Sequence, residues 1–265
     1  MAGRVITVTS GKGGVGKTTF SANVSAALAA LGKKAVAVDT DVGLRNLDIV
    51  MGLENRIVYD LVDVVEGRCR LQKALIRDKR IASLHMLPAA QTRDKSAVSP
   101  DAMAKICAEL RSQFDFTIID SPAGIENGFQ NAIAGADEVV IVTTPHVSAI
   151  RDADRVIGLL EAAEKQQIFL VVNRLQAEMV RRGDMLDIPD ILDILAVELL
   201  GIIPEDEMIV VSSNRGELAA LHTVSPAGQA YKNIARRLLG EEVPLMPVAE
   251  DKGLFKRLTR LFKSQ

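Results

Sequence analysis

The sequence predicts an α/β fold: a doubly wound, mostly parallel sheet with helices on both faces. Three observations predict it. Short β-branched runs alternate with helical stretches along the chain. Hydrophobic residues make up 48% of the sequence but aromatics only 3%, with no Trp, so Val, Ile, Leu and Ala must build the core, as they do in parallel strands covered on both sides. At 265 residues the chain is long enough for one large domain of this kind.

The elements follow in order. Residues 4–9 (RVITVT) read as the first strand and 18–31 as the first helix, with a glycine-rich loop between them. Further strands are expected over 34–39, 83–88, 116–120, 138–143, 168–173 and 199–204, and further helices over 99–112, 147–165, 188–196 and 226–239. Residues 240–251 (GEEVPLMPVAED) carry two prolines and four acids and read as a linker. The chain thus divides into a body over 1–239, a flexible linker over 240–251 and a terminal segment over 252–265.

Composition narrows the function. Net charge is −2, but residues 252–265 carry five basic and no acidic side chains. Residues 1–251 therefore hold 27 basic against 34 acidic residues, which argues against a body that attracts nucleic acid. Cys69 and Cys107 lack metal-ligand spacing and read as buried thiols of a reducing cytosol. The chain reads as strand from its start, with no signal peptide and no apolar run of membrane-spanning length. His85, His146 and His222 are isolated and read as structural.

The loop between the first strand and helix is the most specific feature. Gly11-Lys12-Gly13-Gly14-Val15-Gly16-Lys17-Thr18 fits the P-loop template, with Thr19 following. Its glycines allow backbone N–H groups to converge on phosphate, and the helix that follows adds its positive end. Lys17 supplies a charge for the β/γ-phosphates, and the Thr18 hydroxyl suits Mg²⁺. A second lysine, Lys12, would crowd that cation if it turned to the same phosphates, and is free to reach a neighbouring molecule's site.

Ligands of such sheets bind at the carboxyl ends of the strands. Asp39 and Asp41 stand at one such end, Asp120 at another, and Asn173-Arg174 at a third. Asp120 closes an apolar run and fits a Mg²⁺ position, whereas Asp41 suits the orientation of an attacking water. For Asp39 two roles stay open, support of the Mg²⁺ shell or capping of the loop after its strand. The Asn173 amide can donate to and accept from an adenine edge.

The terminal segment is the second informative stretch. On a helix, Leu254, Phe255, Leu258, Leu261 and Phe262 fall within an arc of about 120°, with Lys252, Lys256, Arg257, Arg260 and Lys263 opposite. Such a helix is too short to span a bilayer and suits the headgroup plane of an anionic membrane. One copy binds marginally, whereas two in a dimer bind with high effective concentration.

The loop K-G-G-V-G-K-T-T resembles the deviant Walker A motif of the ParA/MinD ATPases, and the stretches 39–48 (DTDVGLRNLD) and 120–126 (DSPAGIE) resemble that family's two switch segments. The resemblance covers essentially the whole chain and implies ATP and Mg²⁺ as ligands and an ATP-bound homodimer in which Lys12 contacts the partner's nucleotide. Backbone near Pro204 would lie beside the adenine. On the division-site side of the family, it implies peripheral binding to anionic lipid on the inner face of the plasma membrane. It also implies recruitment of the division inhibitor MinC and stimulation by MinE where that partner exists, with Arg45, Arg151, Asp152 and Asp154 as the shared partner surface and no specific nucleic acid bound. The alternative within the family is a ParA-like partition ATPase that binds nonspecific DNA.

Overall fold

A computed structural model describes residues 3–94 and 97–245. The expected terminal helix, with Leu254, Phe255, Lys256, Arg257, Leu258, Arg260, Leu261 and Phe262, lies outside the described residues, as does the linker beyond Leu245.

In chain order the elements are β1 (Arg4–Thr9), α1 (Lys17–Ala30), β2 (Ala35–Asp39), α2 (Leu47–Met51), α3 (Leu61–Val65), α4 (Leu71–Ala74), β3 (Ile76–Arg77) and β4 (Leu84–Leu87). There follow α5 (Pro100–Arg111), β5 (Phe116–Asp120), α6 (Asn127–Ile133), β6 (Glu138–Thr143), α7 (Val147–Ala162), β7 (Ile168–Leu175), α8 (Ala177–Arg182), α9 (Ile188–Leu195), β8 (Glu198–Pro204), α10 (Glu207–Asn214) and α11 (Pro226–Leu238). The sheet runs β3-β4-β2-β5-β1-β6-β7-β8, parallel throughout except for β3.

Side-chain alternation along β1 shows how the layers form. Ile6 and Val8 face a core built with α1, α2 and α11, whereas Val5 faces the opposite side with α3 and α5. A third cluster seats α6, α7 and α9 on β6 and β7. Both faces of the central strands are thus dry, which is why their apolar runs are nearly unbroken.

Every strand expected from sequence is present. The two-residue β3, pairing antiparallel with β4, was not expected, and neither were the short helices α2, α3, α4, α6, α8 and α10. The expected helix over 147–165 ends three residues early, where Glu164 adopts φ 56°. The expected strand over 168–173 runs on to Leu175 through an irregularity in its pairing with β8, and there Arg174 adopts φ 58°. Cys107 is buried as expected, but Cys69 is only half-buried.

Candidate active site

The glycine loop leaves β1 at Ser10 and enters α1 at Lys17. Gly14 and Gly16 take φ 78° and 100°, which glycine adopts at little cost. Gly16 is the N-cap of α1 and supplies no side-chain acceptor, so the first-turn N–H groups remain available to an anion. The loop is braced from behind. Asn173 donates from Nδ2 to the Val15 carbonyl at 2.7 Å, and a Cβ on Gly16 would lie 2.4 Å from that same nitrogen. The pairing irregularity in β7 places Asn173 and Arg174 here, as bulges next to active sites commonly do.

The two loop lysines occupy different environments. Lys17 is 7% exposed, and its Nζ donates to Ser10 Oγ at 2.9 Å. Burial lowers its pKa, opposed by the charges of Asp120 and Asp41. Lys12 is exposed, and its Nζ reaches Ser148 Oγ, at the start of α7, at 3.4 Å. Gly11 seats against the same helix, since a Cβ there would meet the Asp152 carbonyl oxygen at 2.3 Å. Arg151 and Asp154 are exposed, and Asp152 is half-buried. The expected partner helix therefore adjoins the rim of the P-loop.

Three aspartates come together behind Lys17 and Thr18. Asp39 and Asp120 are register partners at the ends of β2 and β5, both buried. Ser21 Oγ donates to Asp120 Oδ1 at 3.0 Å, and Thr18 also hydrogen-bonds that carboxylate. Burial pushes both carboxyls above the usual carboxylate range, and each has a neighbouring carboxylate adding to the shift, Asp39 for Asp120 and Asp41 for Asp39. Buried carboxylates that raise one another in this way suit a cation beside them. Among the described residues no cluster of three or more His, Cys, Asp or Glu forms a protein-only metal cage. One carboxylate beside a hydroxyl instead fits Mg²⁺, which usually takes one or two carboxylates and completes its shell with phosphate and water.

The carboxylate of Asp39 is committed to the backbone. Its oxygens accept N–H from Asp41 at 2.9 Å and from Asn46 and Leu47 at 3.2 Å each. Of the two roles open for it in the sequence, this geometry favours the loop cap. Asp41 stands half-buried one residue into that loop, close enough to Lys17 to influence its charge. Arg45, expected on the partner surface, is half-buried, with Nε 2.9 Å from the buried Asp48 Oδ2.

A cleft beside the loop gathers Gly16, Thr19, Asn173, Arg174 and Pro204 with Asp206 and Tyr231. Pro204 ends β8 rather than starting a helix, and Asp206 is the N-cap of α10.

A family model described as an AAA domain matches residues 3–172. The septum site-determining protein MinD of Bacillus subtilis is 54% identical over 263 residues, covering 98% of each chain. The chain belongs to the MinD family. Among solved structures, the MinC:MinD cell division protein complex of Aquifex aeolicus matches with TM-score 0.87 at 52% identity, covering 92% of this chain and 99% of that chain. MinD of Pyrococcus horikoshii OT3 complexed with Mg-ADP matches with TM-score 0.80 at 30% identity, covering 89% of this chain and 95% of that chain. With this P-loop the chain is a member of an ATPase family, and it is the Pyrococcus horikoshii relative that is complexed with Mg-ADP.

Sequence reasoning missed four residues of this MinD-family site. Ser21 follows Thr18 by three residues on a helix, so helical spacing alone could have placed both at Asp120. Asp206 stands two residues before Met208, whose N–H it accepts at 2.9 Å, an N-cap pattern legible in sequence. Ser10 and Tyr231 carry no spacing signal, since the first lies outside the loop template and the second arrives from a helix far along the chain.

Proposed function

We propose that the chain is a Mg²⁺-dependent ATPase whose ATP-bound form is a two-fold dimer that binds anionic membrane, recruits MinC to it and releases on hydrolysis, so placing the division site. The carrying observation is the separation of the two lysines. Lys17 is buried in its own site, and Lys12 stands exposed on the rim, available to a second copy's nucleotide.

The roles follow from the geometry. The loop N–H groups from Gly11 to Gly16, with Lys17, Thr18 and Thr19, would cradle the phosphates. Thr18 and Asp120 would hold Mg²⁺, which supplies charge neutralisation on the β- and γ-phosphates. Asp41 would orient the attacking water, with Asp39 fixing the backbone that carries it. Lys12 in trans would stabilise charge on the transferred phosphoryl group, as an arginine finger does. Asn173, Arg174 and Pro204 would line the base. The surface formed by Arg151, Asp152 and Asp154, beside the P-loop rim, would meet MinC, and MinE where present, with Arg45 joining once released from Asp48. The terminal segment would carry the dimer to the inner face of the plasma membrane, peripherally, since no helix of the described residues is long and apolar enough to cross it.

The ParA-like alternative is less well supported. It requires a basic dimer surface, whereas positive charge here concentrates in the terminal segment.

Sedimentation velocity with ATP, with ADP and with Lys12→Ala tests the proposal. A dimer is expected with ATP alone, and Lys12→Ala should stay monomeric while still binding nucleotide. An ATP dimer that persists in Lys12→Ala would remove the trans role.

A further inference from the structure

Two helices start at the nucleotide site and end at one arginine. α2 begins where Asp39 accepts the Leu47 N–H, and α10 begins at Asp206 in the base cleft. At about 1.5 Å per residue they run about 8 and 12 Å from the site. Their far ends meet. Gly52 and Gly216, both at positive φ, abut so closely that a Cβ on Gly52 would stand 2.5 Å from the Gly216 carbonyl oxygen, and one on Gly216 would stand 2.6 Å from the Gly52 Cα. Arg80, in the turn between β3 and β4, closes the junction. Its Nη1 donates to the Gly216 carbonyl at 2.9 Å and its Nη2 to the Met51 carbonyl at 2.8 Å.

The arginine is itself held. Asp78 is 3% exposed and accepts from Arg80 Nε at 3.2 Å, from Nη2 at 2.6 Å and from the Arg80 backbone N–H at 2.7 Å. A planar fork fixed by a buried carboxylate thus satisfies the last carbonyl of α2 and the carbonyl two residues past the end of α10, where a cation is also favoured by both dipoles. A lysine could place the charge there but not the fork.

We propose that Arg80 is a positioning residue for the nucleotide site: it locks the helix that follows the Asp41 loop to the helix that walls the base cleft. Rotation of either helix at the site then carries the other with it. A correctly seated base favours the productive placement of the 41–48 loop, and a poorly seated base disturbs it. This rests on the proposed ATPase reading.

The test uses the full chain with Arg80→Ala and Arg80→Lys. Melting temperature, ATP affinity, kcat and the ATP-over-GTP preference in kcat/KM are measured for each. Loss of kcat by about tenfold and a narrowed ATP-over-GTP preference are expected in Arg80→Ala, with Arg80→Lys recovering melting temperature but not the preference. A purely structural role would lower melting temperature in Arg80→Ala and leave kcat and preference unchanged, which would overturn the proposal. If Arg80→Ala does not fold, Arg80→Lys decides: preference kept at the wild-type value overturns the proposal, and preference narrowed supports it. Failure of the wild-type chain to bind or hydrolyse ATP would refute the ATPase reading instead.

Discussion

Asn173→Ala separates a brace from a base reader. Asn173 is 6% exposed and donates to the carbonyl of Val15, itself 4% exposed, at 2.7 Å. Truncation leaves that buried carbonyl without its donor, at about 1–3 kcal/mol. Taking about 2 kcal/mol, and about 2–4 °C per kcal/mol for a chain of this size, the nucleotide-free protein should melt about 4–8 °C lower. The penalty arises inside the protein and requires no ligand. Asn173→Asp should cost at least as much, because a carboxylate cannot donate and would face the carbonyl lone pairs. The assay is thermal unfolding without nucleotide, followed by ATP titration, in which Asn173→Ala should also bind several-fold more weakly as the loop loses its backing. A nucleotide-free Asn173→Ala melting within about one degree of wild type would refute the brace.

Three further predictions concern titratable groups in or beside the core. Asp120→Asn should raise the melting temperature of the nucleotide-free protein by relieving the buried Asp39–Asp120 pair, while lowering Mg²⁺-dependent turnover more than tenfold; a lowered melting temperature would contradict this. His85 lies edge-on to Phe114, with ring centroids 5.2 Å apart, and burial lowers its pKa. The unfolded chain then binds the proton more readily than the folded one, so stability should fall as pH drops through about 6.5, and His85→Phe should flatten that slope in urea titrations. Burial pushes the Cys107 thiol up to about 12, so iodoacetamide at pH about 8 should leave it untouched in the native protein, with Cys69 the only site modified; a second adduct by intact mass before unfolding would contradict this.

Most of the sheet was legible in the sequence because its strands are apolar runs bounded by turn residues. β3, with two residues, is too short to show a period, and α2, α3, α4 and α6 complete no more than two turns. The loop motif marked Lys17, Thr18 and the glycines, and the strand-end rule marked Asp39, Asp41, Asp120 and Asn173. What a strand-end position does not reveal is where a side chain spends its hydrogen bonds. Asp39 and Asp120 look alike in sequence, yet one is bound by three backbone N–H groups and the other by Ser21 and Thr18 hydroxyls. Nor does the sequence reveal that Arg45 pairs with the buried Asp48. The junction at Arg80 depends on contacts between segments more than a hundred residues apart, as in its bond to Gly216, and no local pattern announces it.

Cosedimentation with anionic liposomes tests the central claim most directly, comparing ATP with ADP and the full chain with one ending at Asp251. The account predicts pelleting of the full chain with ATP alone and none for the shortened chain. Pelleting of the shortened chain with ATP, or equal pelleting of the full chain with ADP, would contradict it.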